Sequence, residues 1–129
     1  IALNAGRYAI TYAIEDAGWK KIYLPYWLCD TVKDAIHAYL SDVEIGYYHI
    51  DDQLLPTDVT LYDQEGILWV NYFGLQSELI IEHLVQQFHG QIIIDNTQSD
   101  IGKLPNGIPA SIRSICCIVW REELIILMT

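Results

Sequence analysis

A carboxylate and an amide stand at the end of an apolar run in this chain. The run Ile92–Ile94 consists of β-branched residues, which is typical of a strand buried on both faces of a parallel sheet, and Asp95 follows it directly. Gln98 lies close behind, so both side chains could face one cleft, although a capped turn would use the same residues. An ionised carboxylate at this place needs a partner, because burying it unpaired is costly. A protein cation, a helix N-terminus or a cationic ligand atom could serve, and we expect the ligand atom.

Three further groups stand at comparable places. Gly6 and Arg7 lie where the first helix begins, and free backbone N–H groups there favour an anion such as phosphate, although most such starts are plain caps. Tyr26 and Trp27 follow a predicted strand, and either ring could stack on a flat ligand or pack into the core. Asn71 lies at the end of another strand. All these groups belong to one edge of the sheet, and together they would suit a planar, phosphorylated, protonated heterocycle.

Periodicity predicts the elements that carry these groups. Apolar spacing indicates helices over 4–18, 30–40 and 77–90, and apolar runs indicate strands over 21–24, 43–50, 67–73 and 92–95. We expect Asn4 to cap the first helix, Gly18 to end it, and Asp30 or Thr31 to cap the second. The alternation of strand and helix predicts an α/β fold, with a mostly parallel sheet, helices on both faces and right-handed crossovers.

After Gln98 the pattern changes. Residues 102–109 are rich in Gly and Pro and predict a loop. Two apolar runs, Ile115–Trp120 and Leu124–Met128, predict a β-hairpin or two further strands. No shift in composition marks a boundary, so we expect residues 1–129 to form a single domain.

The composition indicates a globular, acidic protein. Apolar residues make up 52% of the 129 residues, and the formal net charge of −10 argues against nucleic acid and anionic membranes as partners. No apolar run approaches the roughly 18 residues that would span a bilayer, and Ile1 opens no signal-peptide pattern, so we expect a cytoplasmic protein. Cys29, Cys116 and Cys117 are then expected to be reduced, buried thiols, and the four scattered histidines predict no metal site.

Four stretches of the chain resemble the DegT/DnrJ/StrS family of sugar aminotransferases, which are fold-type-I enzymes that use pyridoxal phosphate. In chain order they are Gly6–Ile10, Ile22–Trp27, Val70–Gly74 and Ile94–Gln98. The resemblance covers roughly residues 4 to 100 and rests on the order and spacing of the stretches. It implies that the chain corresponds to part of the large domain of a pyridoxal-phosphate-dependent transferase. It also implies transfer of an amino group from an amino acid, usually glutamate, to a ketosugar nucleotide.

The resemblance implies a role for each polar group at the end of a strand. Asp95 would pair with the protonated pyridine nitrogen and so hold the ring as an electron sink. Gln98 would lie near the phenolic oxygen of the ring. Asn71 falls where the family usually has a polar residue near the cofactor, often a histidine.

The resemblance also implies how the phosphate and the face of the ring would be held. Gly6 and Arg7 would offer backbone N–H groups to the phosphate. Trp27 or Tyr26 would stack on the ring face.

One essential residue of the family is missing. These enzymes need a lysine that forms a Schiff base with the cofactor, and the window from about Trp120 to Met128 contains none. Lys103 is the only lysine after Asp95, and residues 111–129 do not resemble the family. We therefore expect a truncated or frame-disrupted relative without catalytic residues of its own. The alternatives are a non-catalytic module that binds a cofactor or a sugar phosphate, and an inert remnant. Since an incomplete domain leaves apolar surface uncovered, we also expect a homo-oligomer.

Overall fold

The structure is a computed structural model that describes residues 2–3, 5–98, 118–121 and 124–128. Side chains are described for residues 5–98. The predicted cap Asn4, the loop over 102–109, and Lys103, Cys116 and Cys117 lie outside the described residues.

Three helices and eight strands make up the described part of the chain. The helices are α1 (Gly6–Ala17), α2 (Asp30–Tyr39) and α3 (Glu78–Gln87), with a 3₁₀ turn at Tyr72–Gly74. The strands are β1 (Ala2–Leu3), β2 (Lys21–Pro25), β3 (Glu44–Ile50), β4 (Pro56–Thr57), β5 (Glu65–Val70), β6 (Ile92–Asp95), β7 (Ile118–Arg121) and β8 (Leu124–Met128).

The strands form one mixed sheet in the order β1-β8-β7-β6-β5-β2-β3-β4. Its centre is parallel, because β2 pairs in parallel with β3 and β5, and β5 pairs in parallel with β6. Antiparallel pairs join β3 to β4, β6 to β7, and β7 to β8. The predicted α/β class with a mostly parallel sheet is confirmed, and the last two apolar runs do form strands.

The core lies on both faces of the parallel strands. Leu68 and Ile93 pack with buried residues of α1 and α2, whereas Trp69 and Ile94 pack on the opposite face with Leu84 of α3 and with Phe88, which directly follows that helix. Successive residues of a strand point to opposite faces, so a strand covered on both sides must be apolar throughout. This explains the uninterrupted apolar runs of β5 and β6.

Several local predictions are wrong. Helix α1 has Ala5 at its N-cap, where Asn4 was predicted. Cys29 was expected to be buried, and its side chain is exposed.

Two further corrections concern the start of α2 and the end of β5. Helix α2 has Cys29 at its N-cap, and the predicted cap Asp30 lies in the first turn, where its carboxylate binds Lys33. The strand predicted to reach Phe73 ends at Val70. Phe73 has a φ of 58° in the 3₁₀ turn, a left-handed conformation that cannot continue a strand. By contrast, Gly18 ends α1 in the left-handed conformation, as predicted.

Candidate functional site

The predicted site residues share one edge of the sheet. Strands β2, β5 and β6 are parallel, so Pro25, Val70 and Asp95 end at the same side, and Val70 lies beside Asp95 in the register. Strand β1 runs in the same direction as β6, since it is parallel to β8 and the pairs β8–β7 and β7–β6 are both antiparallel. Helix α1 begins at Gly6, shortly after β1, and therefore starts at this carboxyl edge.

Asp95 is a partly buried carboxylate held by a backbone donor. Its Oδ1 accepts the backbone N–H of Thr97 at 3.0 Å. Burial raises the pKa of Asp95 above its usual value, and the hydrogen bonds from Thr97 oppose that rise. Within residues 5–98, no lysine or arginine lies within salt-bridge distance of Asp95, since the ion pairs there join Lys21 to Glu44 and Lys33 to Asp30. Its charge therefore remains without a cation in the described part of the chain.

The amide side chains of Asn71 and Gln98 form hydrogen bonds between the loop that follows β5 and the loop that follows β6. Asn71 is almost fully buried; its Nδ2 donates to Asn96 Oδ1 at 2.8 Å, and its Oδ1 accepts the N–H of Gln76 at 3.2 Å. Gln98 Oε1 accepts the backbone N–H of Phe73 at 2.8 Å. Asn71 thus has both ends of its amide engaged within the protein, whereas no hydrogen bond is found between the Gln98 NH₂ group and the described residues.

The two aromatic candidates have different surroundings. The ring of Tyr26 stacks on Tyr47, with centroids 5.2 Å apart, and also lies against His49, with centroids 4.7 Å apart. Trp27 is 79% exposed, and its backbone carbonyl accepts a hydrogen bond from the Tyr72 hydroxyl. Tyr26 is also exposed, at 59%, but its ring contacts Tyr47 and His49, so Trp27 is the more accessible of the two candidates.

The start of α1 has no side-chain cap. Ala5 occupies the N-cap position, no acidic residue lies in the first turn, and a Cβ placed on Gly6 would meet no atom within 4 Å. The first N–H groups of a helix have no partner inside the helix, so those of Gly6 and Arg7 can bind an anion or water. The guanidinium of Arg7 lies 4.7 Å from the ring centroid of Tyr8 and lowers the pKa of that tyrosine.

Tyr72 belongs to the site, although the sequence pattern did not single it out. Burial, together with the nearby charge of Asp95, raises the pKa of Tyr72 to about 12. The hydroxyl is therefore a neutral donor at ordinary pH, and it donates to the Trp27 carbonyl. In the sequence, Tyr72 follows Asn71 within an apolar run, which gives no sign that its hydroxyl reaches another loop.

The described lysines lie away from Asp95. Lys20 precedes β2 and Lys21 begins it, which places both at the opposite edge of the sheet. Lys33 Nζ lies 2.7 Å from Asp30 on its own helix. Among the described residues, no three histidine, cysteine or acidic side chains are grouped so as to hold a metal ion.

Comparison with known proteins leaves the chain without a family assignment. No protein-family model matches it, and no curated protein sequence matches it either. In the part of the chain that the structure describes, none of the helices has the length and apolar character needed to cross a membrane.

Proposed function

We propose that this chain binds the ring of pyridoxal phosphate at the carboxyl edge of its sheet. The observation that carries the proposal is Asp95, a partly buried carboxylate with a raised pKa and no cation beside it among the described residues. A protonated pyridine nitrogen would supply the missing positive charge and would offset the cost of burying the carboxylate.

The other groups at this edge fit the same ligand. The exposed ring of Trp27 offers a stacking surface, and the uncapped start of α1 offers backbone N–H groups to a phosphate. The NH₂ group of Gln98 is a donor suited to the phenolic oxygen. When bound, the cofactor would supply an electron sink for reactions at the carbon next to an amine.

The reaction follows from the resemblance alone. It would be amino transfer from an amino acid to a ketosugar nucleotide, and a nucleotide sugar would then be the second small-molecule partner. The described lysines lie at the opposite edge or in α2, so we propose that this part of the chain holds the cofactor without a covalent bond. Under this proposal the described residues act as a non-catalytic binding module of aminotransferase ancestry.

The first test is binding of pyridoxine 5′-phosphate, which has the cofactor's ring and phosphate but no aldehyde to react with lysines. Calorimetric titration should show that Asp95→Asn weakens binding by about 10- to 100-fold, the range of a charge-assisted hydrogen bond. Glu44→Gln, which makes the same charge change at the opposite edge, should leave the affinity unchanged. Equal affinity of the wild type and Asp95→Asn would refute the proposal.

The second test asks whether any lysine bonds to the cofactor. The protein is incubated with pyridoxal phosphate, reduced with borohydride and mapped by peptide mass spectrometry. Under this proposal, modification is substoichiometric and spread over several lysines. Complete labelling of one lysine, lost in Asp95→Asn, would instead identify a covalent cofactor site and an enzyme.

Self-association is part of the same proposal. Phe73, Leu75 and Leu79 are large apolar side chains, each about 70% exposed or more, close together in the chain. We propose that a second copy covers them. Light scattering should then show a dimer or larger species that Leu79→Glu dissociates, and a monomer at high concentration would contradict this.

A further inference from the structure

Three consecutive residues tie together three loops at the carboxyl edge. Asn71 donates its backbone N–H to the Asp95 carbonyl at 2.9 Å and its side-chain amide to Asn96. Tyr72 donates its hydroxyl to the Trp27 carbonyl in the loop after β2. Phe73 donates its backbone N–H to Gln98. The segment 71–73 therefore links the loops that carry Asp95, Gln98 and the exposed ring of Trp27.

This segment is held in place from several directions. Phe73 keeps a left-handed backbone at φ 58°, which is unfavourable for a residue with a Cβ. Such a conformation persists only where surrounding bonds enforce it. Here the Gln98 side chain bonds Phe73 and the Asn71 side chain bonds Gln76, so the turn is a fixed support for the tyrosine between them.

The loop that carries Trp27 needs such a support. Its ring is largely exposed, so packing does little to hold it. The backbone around it has an anchor before the tryptophan, where Tyr26 N–H donates to Tyr48 O at 3.2 Å, and another at the Trp27 carbonyl itself. That second bond joins residues 45 positions apart in the chain, so local structure does not supply it.

We infer that Tyr72 is a positioning residue whose hydroxyl fixes the backbone of Trp27, so that the indole covers a ring paired with Asp95. The inference rests on the proposed function for its ligand, but the anchor itself is a property of the free protein. Asn71, the residue before Tyr72, bonds the backbone of Asp95, so the segment that anchors the stacking residue also holds the strand end that carries the ion-pairing residue.

The anchor is tested without ligand in Tyr72→Phe, by hydrogen exchange of the hydrogen-bonded amides on either side of Trp27, those of Tyr26 and Val32. Loss of one hydrogen bond should raise the exchange of these amides by about 3- to 10-fold. Tyr62→Phe is the matched control, because Tyr62 is exposed and its hydroxyl donates to no residue in the part of the chain that the structure describes. Unchanged exchange in Tyr72→Phe, or an equal rise throughout the chain, would overturn the assignment.

The link to the ligand is tested by a double-mutant cycle with pyridoxine 5′-phosphate. Tyr72→Phe should raise Kd by about 3- to 10-fold in the wild-type background and by less than about 2-fold in Trp27→Ala, because its effect passes through the indole. The same factor in both backgrounds would overturn the inference. If wild type and Asp95→Asn bind equally, the proposed function fails; if Asp95→Asn alone loses affinity, only the role of Tyr72 fails.

Discussion

Two carboxylates at opposite edges of the sheet have different surroundings. Glu44 begins β3, is well exposed, and its Oε1 lies 2.7 Å from Lys21 Nζ. Asp95 ends β6 and is more buried, yet it has a backbone N–H as its partner and no cation among the described residues. Water screens the exposed charge cheaply, whereas a buried charge gains most from a partner. If stability alone had determined the sequence, we would expect a lysine or arginine beside the buried Asp95 rather than beside the exposed Glu44.

The two edges differ in packing as well. At the amino edge the indole of Trp19 lies directly over Gly66, so the protein itself fills that space. At the carboxyl edge Trp27 and Phe73 are exposed, and the backbone of Phe73 is left-handed. The amino edge also carries an exposed ring at Tyr62 and left-handed residues at Gln64 and His89, so the carboxylate without a cation is the feature that separates the carboxyl edge. Substitutions at either edge test this difference, because those at the amino edge should change stability and those at the carboxyl edge should change binding.

The largest effect on stability is expected at the amino edge from Gly66→Ala. The added Cβ would overlap the Trp19 ring, which must move as a whole, and overpacking of this kind costs about 1–3 kcal/mol. Urea unfolding measures the loss, and calorimetry should find the Kd of the remaining folded protein for pyridoxine 5′-phosphate unchanged. A large change in Kd would show that the two edges are not independent.

At the carboxyl edge, Trp27→Ala should lower affinity without lowering stability. Removal of a stacking ring should raise Kd by about 10-fold, while its high exposure predicts little change in unfolding free energy. The comparison variant is Tyr26→Phe, which keeps the stack on Tyr47 and should bind as the wild type does. Loss of affinity in Tyr26→Leu, which removes that ring, together with unchanged affinity in Trp27→Ala, would show that Tyr26 is the stacking residue.

Asp95→Asn should make the free protein more stable at pH 7, because it removes a carboxylate whose charged form burial disfavours. The pKa of Asp95 is raised in the folded state, so the folded protein binds this proton more tightly than the unfolded chain does. Its contribution to stability therefore falls as pH rises from the unfolded pKa of about 3.8 through the folded pKa. The asparagine side chain still accepts the Thr97 N–H. In urea unfolding, the gain in stability of Asp95→Asn over the wild type should therefore shrink at a pH below both pKa values, where Asp95 is protonated in both states. A less stable Asp95→Asn at pH 7 would contradict this account of the carboxylate.

Glu44→Gln should have the smallest effect. An exposed ion pair contributes little to stability, so we expect the Tm to change by less than about 3 °C. Thermal unfolding at low and high salt checks this, because any effect should fade with added salt. A larger, salt-independent loss would mean that Glu44 has a structural role beyond this pair.

Sequence patterns predicted the parallel centre of the sheet well and its carboxyl edge in part. Strand β6 was predicted with its observed bounds, because an apolar run that ends at a charge has few other interpretations. The end of β5 was missed, since an apolar run gives no sign that Phe73 turns to positive φ. The partners of Asn71 and Tyr72 were missed for another reason. They lie 25 and 45 positions away, and no local pattern reports a contact over that distance.

The most direct test of the central claim is whether this site recognises a ring nitrogen. Calorimetry would compare pyridoxine 5′-phosphate with a phosphorylated phenol of the same shape in which a CH group replaces that nitrogen. If Asp95 pairs with the protonated nitrogen, the wild type should bind the pyridine compound at least about tenfold more tightly, and Asp95→Asn should abolish the preference. Equal binding of the two compounds by the wild type, or a preference that survives in Asp95→Asn, would contradict the account.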